Sequence, residues 1–405
     1  MKTHYPKFYV VLSLLALLLP SHIVRAQSAR APAPATPLAC EDGAQASGAT
    51  YRICMPATWN GILVVYAHGY VAPNQSIGIP EAQMKLPGSN TSVADTLTSQ
   101  NYAFATSGYS TNGLAVQQGI ADLVDVVAIF KAKQAMPQHV VLVGVSEGGL
   151  IATLALEQRS DIFNGGLAMC GPYGSFTEQT NYFGDFRVLF DYFFPGLIPG
   201  SAVDVPADLL DTWETSTYSN TVLPVITDPA NAGKVDQLLA TAHAAYDEKV
   251  PGSKTKSIGD ILWYNIFATN DATAKLGGQP FTNQTRMYTG STDDPTLNQS
   301  IVRFNADPLA AATMAAGYET SGKLEAPLVT IHTTGDPIVP YDHTDLYQAK
   351  VNVANRTAFY SHIQVQAYGH CQFSSLDILN AFNLLVAKVN NPPIVPRLYL
   401  PLVAH

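Results

Sequence analysis

Charge is what this sequence has least of. Only 13% of its 405 residues are Asp, Glu, Lys or Arg, about half the share of about 25% in an average soluble domain. The 22 basic residues are outnumbered by 31 acidic ones, leaving a net charge of −9, and the basic residues form no cluster. Such a chain cannot neutralise a run of phosphates, so nucleic acid is excluded as a partner. There is no His-Glu-x-x-His, no Gly-rich phosphate loop and no C-x-x-C, so no metal and no cofactor are expected. After residue 19 no apolar run approaches the ~20 residues of a membrane span, so no transmembrane segment is expected. Disorder is excluded by the opposite excess, 47% hydrophobic and 10% aromatic residues. The length allows one large core or two smaller ones.

The ends read differently from the middle. Lys2 and Lys7 precede an apolar run from Phe8 to Leu19, and Val24 and Ala26 then supply small residues before a cut. This predicts a signal peptide over residues 1–26 and a secreted or periplasmic product. No Cys follows the cut, so a lipid anchor has no support. Residues 27–40 read as an Ala/Pro linker and 391–405 as a Pro-rich tail docked on the surface. In an exported chain Cys40, Cys54, Cys170 and Cys371 predict two disulfides, with three pairings open. The simplest joins Cys40 to Cys54 across a turn-rich stretch and leaves Cys170 with Cys371.

Between the ends, apolar runs of strand length fall at 61–67, 102–107, 140–145, 166–169, 328–332 and 360–367. They are continuous rather than alternating, which implies burial on both faces. Helical patterns lie between them at 92–99, 116–134 and 149–158, and a last one at 375–389 carries Leu376, Ile378, Leu379, Phe382, Leu385 and Val386. Strand–helix alternation predicts an α/β fold with a mostly parallel sheet. It is interrupted over 172–324, where helical patterns at 206–214, 235–246 and 308–316 and a dense aromatic run at 182–195 predict a helical lid. The catalytic core is then 41–171 with 325–390.

The most specific signal is Gly144-Val145-Ser146-Glu147-Gly148, placed where a strand runs into a helix. A serine held exposed in a strained turn needs small residues two before and two after it. A nucleophilic serine also needs a base and an orienting carboxylate, and with this turn they follow in the order acid, then His. Asp336 leaves the end of the 328–332 strand, unlike Asp293, Asp294, Asp307 and Asp342. Among later histidines His370 lies just past the last strand, whereas His362 falls inside it, His343 is too close to Asp336 and His405 is in the tail. Two backbone N–H donors are needed to hold an oxyanion. Glu147 supplies one and Tyr70, after the strand-end pair His68-Gly69, supplies the other, with His68 bracing that loop.

Taken in order, His68-Gly69, Gly144-Val145-Ser146-Glu147-Gly148, Gly335-Asp336-Pro337 and Gly369-His370 resemble the α/β-hydrolase superfamily over residues 41–171 and 325–390. The resemblance implies a serine hydrolase acting through Ser146, His370 and Asp336 and an acyl-enzyme intermediate, but no particular substrate; export and the scarcity of charge make a secreted enzyme that cleaves carboxylic esters the first expectation. Cys371 directly after the His resembles the tannase and feruloyl-esterase group, where a disulfide ties the His loop near the nucleophile. There the partner Cys adjoins the Ser; here Val145 does, and Cys170 comes one strand later.

The expected substrate is a small-molecule or polymeric ester, met by Tyr70, Phe176, Tyr182 and Phe183; the alternative is that the lid aromatics, these included, are simply the lid's own core. A proline-iminopeptidase-like exopeptidase is the rival, with Glu178, Asp185, Asp191 and Glu214 available to bind a free amine. A non-catalytic binding or surface-attached protein that keeps the fold is the third reading.

Overall fold

The structure, a computed structural model, describes residues 39–86 and 90–393. The expected signal peptide, the linker up to residue 38 and the tail from 394 lie outside the described residues.

Continuous apolar runs give the central strands. β1 is Ala39–Ala44, β2 Thr50–Met55, β3 Ile62–Ala67, β4 Ala103–Ser107, β5 His139–Val145, β6 Gly165–Met169, β7 Leu328–Gly335 and β8 Tyr360–Tyr368. They form one sheet in the order β1-β2-β4-β3-β5-β6-β7-β8. β2 is antiparallel to both neighbours, and every pairing from β4 to β8 is parallel. β3, β4 and β6 are buried at every position, as a sheet covered on both faces requires. This is the α/β-hydrolase fold.

Among the described residues, the α-helices before the long interruption are α1 Val93–Ser99, α2 Val116–Lys133 and α3 Glu147–Gln158. Between β6 and β7 lie α4 Phe176–Phe193, α5 Ala207–Thr212, a π-helical stretch Trp213–Val222, α6 Leu223–Thr227, α7 Ala232–Thr241, α8 Ser253–Leu276, α9 Asp294–Ser300 and α10 Pro308–Gly317. After β7 come α11 Asp342–Val353 and α12 Ser375–Asn390. One sheet face packs on α2, α3 and α11 through residues such as Leu123, Phe130, Leu154 and Tyr347. The other packs on α1 and α12 through Leu97, Phe382 and Leu385. The inserted helices have a separate core that includes Phe186, Phe190, Trp213 and Ile261. Arg187 is fully buried in that region and satisfied by Asp191 at 2.9 Å and by the carbonyls of Ile198 and Pro199 at 3.1 Å.

Four sequence expectations need correction. The linker cannot extend to residue 40, because β1 begins at Ala39 and Cys40 faces Cys54 across the hairpin. β1 and β2 carry no continuous apolar run, since Cys40–Ala44 has no buried position and β2 mixes exposed and buried ones, and the sequence patterns do not mark them. α8, the longest helix described, was missed because its polar residues obscure the pattern. In α12, Leu376 is 64% exposed and the buried stripe is Ala381, Phe382, Leu385 and Val389. The disulfides are Cys40–Cys54 and Cys170–Cys371.

Candidate active site

Ser146 sits between β5 and α3 with φ 58° and ψ −123°, a backbone conformation that is strained for a residue with a Cβ. The neighbouring glycines show why the turn can exist. A Cβ on Gly144 would overlap the Gly148 carbonyl, and one on Gly148 would overlap the carbonyl of Ala67 at the end of β3. The crossing backbones leave no volume for side chains, so the hydroxyl is presented at the top of the sheet.

The strand ends then bring in two partners remote in sequence. His370, on the turn after β8, has Nε2 2.8 Å from Ser146 Oγ. Its Nδ1 is 2.8 Å from Asp336 Oδ2. The other Asp336 oxygen accepts the Ile338 and Val339 N–H groups at 2.9 and 3.0 Å. Asp336 is fully buried, which alone would raise its pKa. The facing His370 and His332 rings overturn that and hold the carboxyl below its ordinary value. The Cys170–Cys371 bridge, with Cα atoms 5.4 Å apart, links the end of β6 to the residue after His370.

The remaining candidates separate cleanly. Asp293 caps α9, Asp294 accepts from Ser291, Asp307 accepts from Gln279 N–H, and Asp342 opens α11. His362 bridges Thr330 and Tyr341. His343 is buried and takes the Ser175 N–H. His405 lies outside the described residues.

Gly69 packs directly on the nucleophile, its Cβ position lying 3.1 Å from Ser146 Cβ. Its N–H is taken by Gln83 Oε1 at 2.8 Å. The N–H next along the chain, that of Tyr70, has no bond to any described residue. Glu147 opens α3, so its N–H has no intrahelical acceptor. Glu147 directly follows the serine and Tyr70 lines both cavities that meet at it, and the helix end adds a favourable field for negative charge. His68 stacks on Tyr109 with ring centres 3.8 Å apart, and burial pulls its pKa down to about 4, so it stays neutral. The Glu147 side chain is buried as well. Burial raises its pKa to about 8, and the Ala115 N–H donated to it at 3.0 Å offsets only part of that rise.

Two cavities meet at the serine. Tyr70, Ser146 and Tyr264 line both. The smaller, about 110 Å³, lies among the inserted helices and takes Phe176 and Phe183 as walls. Tyr182 does not line it, which corrects the expectation: its hydroxyl donates to Pro337 O at 2.8 Å, bracing the loop that carries Asp336. The larger, about 470 Å³, runs under α1 and α12. Tyr264 of α8 was missed by sequence reasoning. Its ring stacks on Phe183 at 5.1 Å. Burial pushes its pKa up, and the negative charge of Asp336 adds to that rise. No sequence signal marks it, because α8 reaches the site only through tertiary packing.

The four carboxylates that could hold a free amine are all engaged. Glu178 and Asp185 pair with Arg286, Asp185 also accepts from Tyr288, Asp191 pairs with Arg187, and Glu214 accepts from Trp263 Nε1 at 2.7 Å. Cys170, His370 and Cys371 lie close enough for a metal, but both sulfurs are spent in the disulfide.

The prolyl oligopeptidase family model matches residues 98–187, a stretch that holds Ser146 and ends before Asp336 and His370. No curated protein matches the chain. Among solved structures, the acylaminoacyl peptidase of Pyrococcus horikoshii is 10% identical with a TM-score of 0.41, over 87% of this chain and 41% of that one. The chain thus spans about two fifths of that peptidase. The rice cell wall degrading esterase LipA of Xanthomonas oryzae is 12% identical with a TM-score of 0.43, over 86% of this chain and 88% of that one. An esterase of Pyrococcus furiosus is 11% identical with a TM-score of 0.43, over 87% of this chain and 90% of that one.

Proposed function

We propose that this chain, a serine hydrolase with the α/β-hydrolase fold, cleaves carboxylic esters through Ser146, His370 and Asp336. The observation that carries the reading is the unbroken relay from Ser146 Oγ to His370 to Asp336, two contacts of 2.8 Å each. Ser146 attacks the ester carbonyl while His370 takes its proton. Asp336 holds the ring by Nδ1 and favours its charged form. The N–H groups of Tyr70 and Glu147 receive the oxyanion. His370 then returns the proton to the leaving alcohol, and water releases the acyl group by the same path.

An ester suits the site better than a peptide with a free amino end. Each of the four lid carboxylates that could hold an ammonium already has a partner, and the larger cavity at the serine is walled mainly by apolar side chains. Export fits the two disulfides, which need an oxidising compartment to persist.

Ser146→Ala tests the mechanism. Turnover of p-nitrophenyl esters and labelling by a fluorophosphonate should both vanish while the far-UV circular dichroism stays unchanged; retained turnover would overturn the assignment. Amino-acyl p-nitroanilides run beside the esters decide between esterase and peptidase. Cleavage of the anilides alone would establish the exopeptidase reading, and an unlabelled, inactive wild type the non-catalytic one.

A further inference from the structure

The two cavities at Ser146 are not equivalent. The larger passes between α1 and α12 and reaches down to the sheet itself, touching Val143 and Leu167 as well as Leu97, Ile378 and Phe382. His370 and Cys371 belong to its wall. The smaller is bounded by Glu147 and Leu150 of α3 and by Phe176, Phe183 and Phe281, and His370 is not part of it.

That asymmetry assigns the halves of an ester. When the tetrahedral intermediate collapses, the bond from the carbonyl carbon to the alkoxy oxygen breaks, and the proton held on His370 Nε2 passes to that oxygen. The alcohol therefore lies on the side of the site that His370 walls, and the acyl group on the side it does not. A third cleft, near Glu214, Lys256 and Asp260 and walled as well by Trp213, Tyr218 and Trp263, is also bordered by His370, but Ser146 does not line it. A bound ester, whose carbonyl carbon must reach Ser146, is thereby placed between the two chambers that the serine lines.

We propose that the α1–α12 chamber is the alcohol-binding site and that the natural substrate joins a compact acyl group to a large apolar alcohol. This rests on the ester reading above. The volumes set the sizes. A cavity of about 150 Å³ holds one benzene ring, so the smaller chamber, at about 110 Å³, takes an acyl group no bigger than a short chain or a single ring. The other chamber, at about 470 Å³, has room for a long alkyl or fused-ring alcohol.

Two substrate series with purified protein test this. One varies the acid, p-nitrophenyl acetate to decanoate; the other varies the alcohol, ethyl to decyl acetate. Along the alcohol series kcat/KM should rise about two- to fourfold per methylene, as burial of each CH₂ implies. Along the acyl series it should drop about tenfold or more beyond ring size, because overfilling a packed site is costly. Ile378→Trp, which fills the large chamber, should flatten the alcohol series. A flat alcohol series, a rise along the acyl series instead, or an alcohol series left steep in folded Ile378→Trp overturns the assignment while the ester reading stands. Failure to cleave any ester, with anilides cleaved, overturns both.

Discussion

The long-range disulfide offers the sharpest test of how this site is held together. Cys170 directly follows β6, and the next residue, Gly171, lies so close to the turn at Ser146 that its Cβ position is 2.8 Å from the Ser146 carbonyl oxygen. Cys371 follows His370. The bridge thus fastens the base loop to the strand that abuts the nucleophile, and it closes a loop of 201 residues against 14 for Cys40–Cys54. Chain entropy gives about 5 kcal/mol for the first loop and about 3 kcal/mol for the second. Two paired deletions separate the effects: Cys170→Ala with Cys371→Ala, and Cys40→Ala with Cys54→Ala. Urea unfolding should show the larger loss for the long-range pair. Kinetics on a p-nitrophenyl ester should show kcat reduced in that pair alone, because β1 and β8 lie at opposite edges of the sheet and the hairpin cannot reach His370. The reasoning fails if removing Cys40–Cys54 costs more stability, or if removing Cys170–Cys371 leaves kcat at the wild-type value.

Two further perturbations probe the nucleophile turn. Glu147 titrates near 4.5 when unfolded and near 8 in the fold, so the fold favours its protonated form. Its stabilising contribution is complete below about pH 4.5 and is lost as pH rises through about 8. Stability measured by urea midpoints should fall between pH 5 and pH 8 by a few kcal/mol, on the order implied by the shift, and Glu147→Gln should flatten that slope. An unchanged slope in the variant would refute it. Gly148→Ala drives a Cβ into the Ala67 carbonyl and should cost about 3 kcal/mol or more. Gly233→Ala, in α7 with nothing within 4 Å, should gain up to about 1 kcal/mol; thermal melts that ranked them the other way would contradict the packing argument.

What was legible in the sequence was whatever physics compresses into a few adjacent residues. The turn at Ser146 needs glycine within two positions on either side, so it announces itself. Asp336 and His370 could be found because each sits immediately past an apolar strand, and strand ends are readable. Burial partners were not. Tyr182 and Phe183 are neighbours in one aromatic run, yet on a helix adjacent side chains diverge by about 100°, so one braces the Asp336 loop and the other walls the cavity. Nothing local says which. Tyr264 and Gln83 reach the site from elements whose own patterns carry no trace of it. The hairpin β1–β2 escaped because β1 buries none of its residues from Cys40 to Ala44 and so carries no apolar run, and its cysteines were the only clue. The Asn-x-Thr pattern at Asn283 likewise says nothing of placement: Asn283 is 1% exposed and its amide is bonded to Tyr288 and Val302, so a glycan there is incompatible with the fold.

The position of the helical insertion has a consequence for how the molecule comes into being. The nucleophile turn is built from near neighbours, β5 and α3, and can form early. The acid and base sit beyond the insertion, and β7 joins β6 only when the chain from Met169 to Leu328 has closed on itself, a slow step in any folding sequence. Until that closure Ser146 is an ordinary alcohol with no base within reach. Under the proposed mechanism partly folded chains are therefore chemically silent, and the appearance of hydrolytic activity during refolding would time the docking of the last two strands.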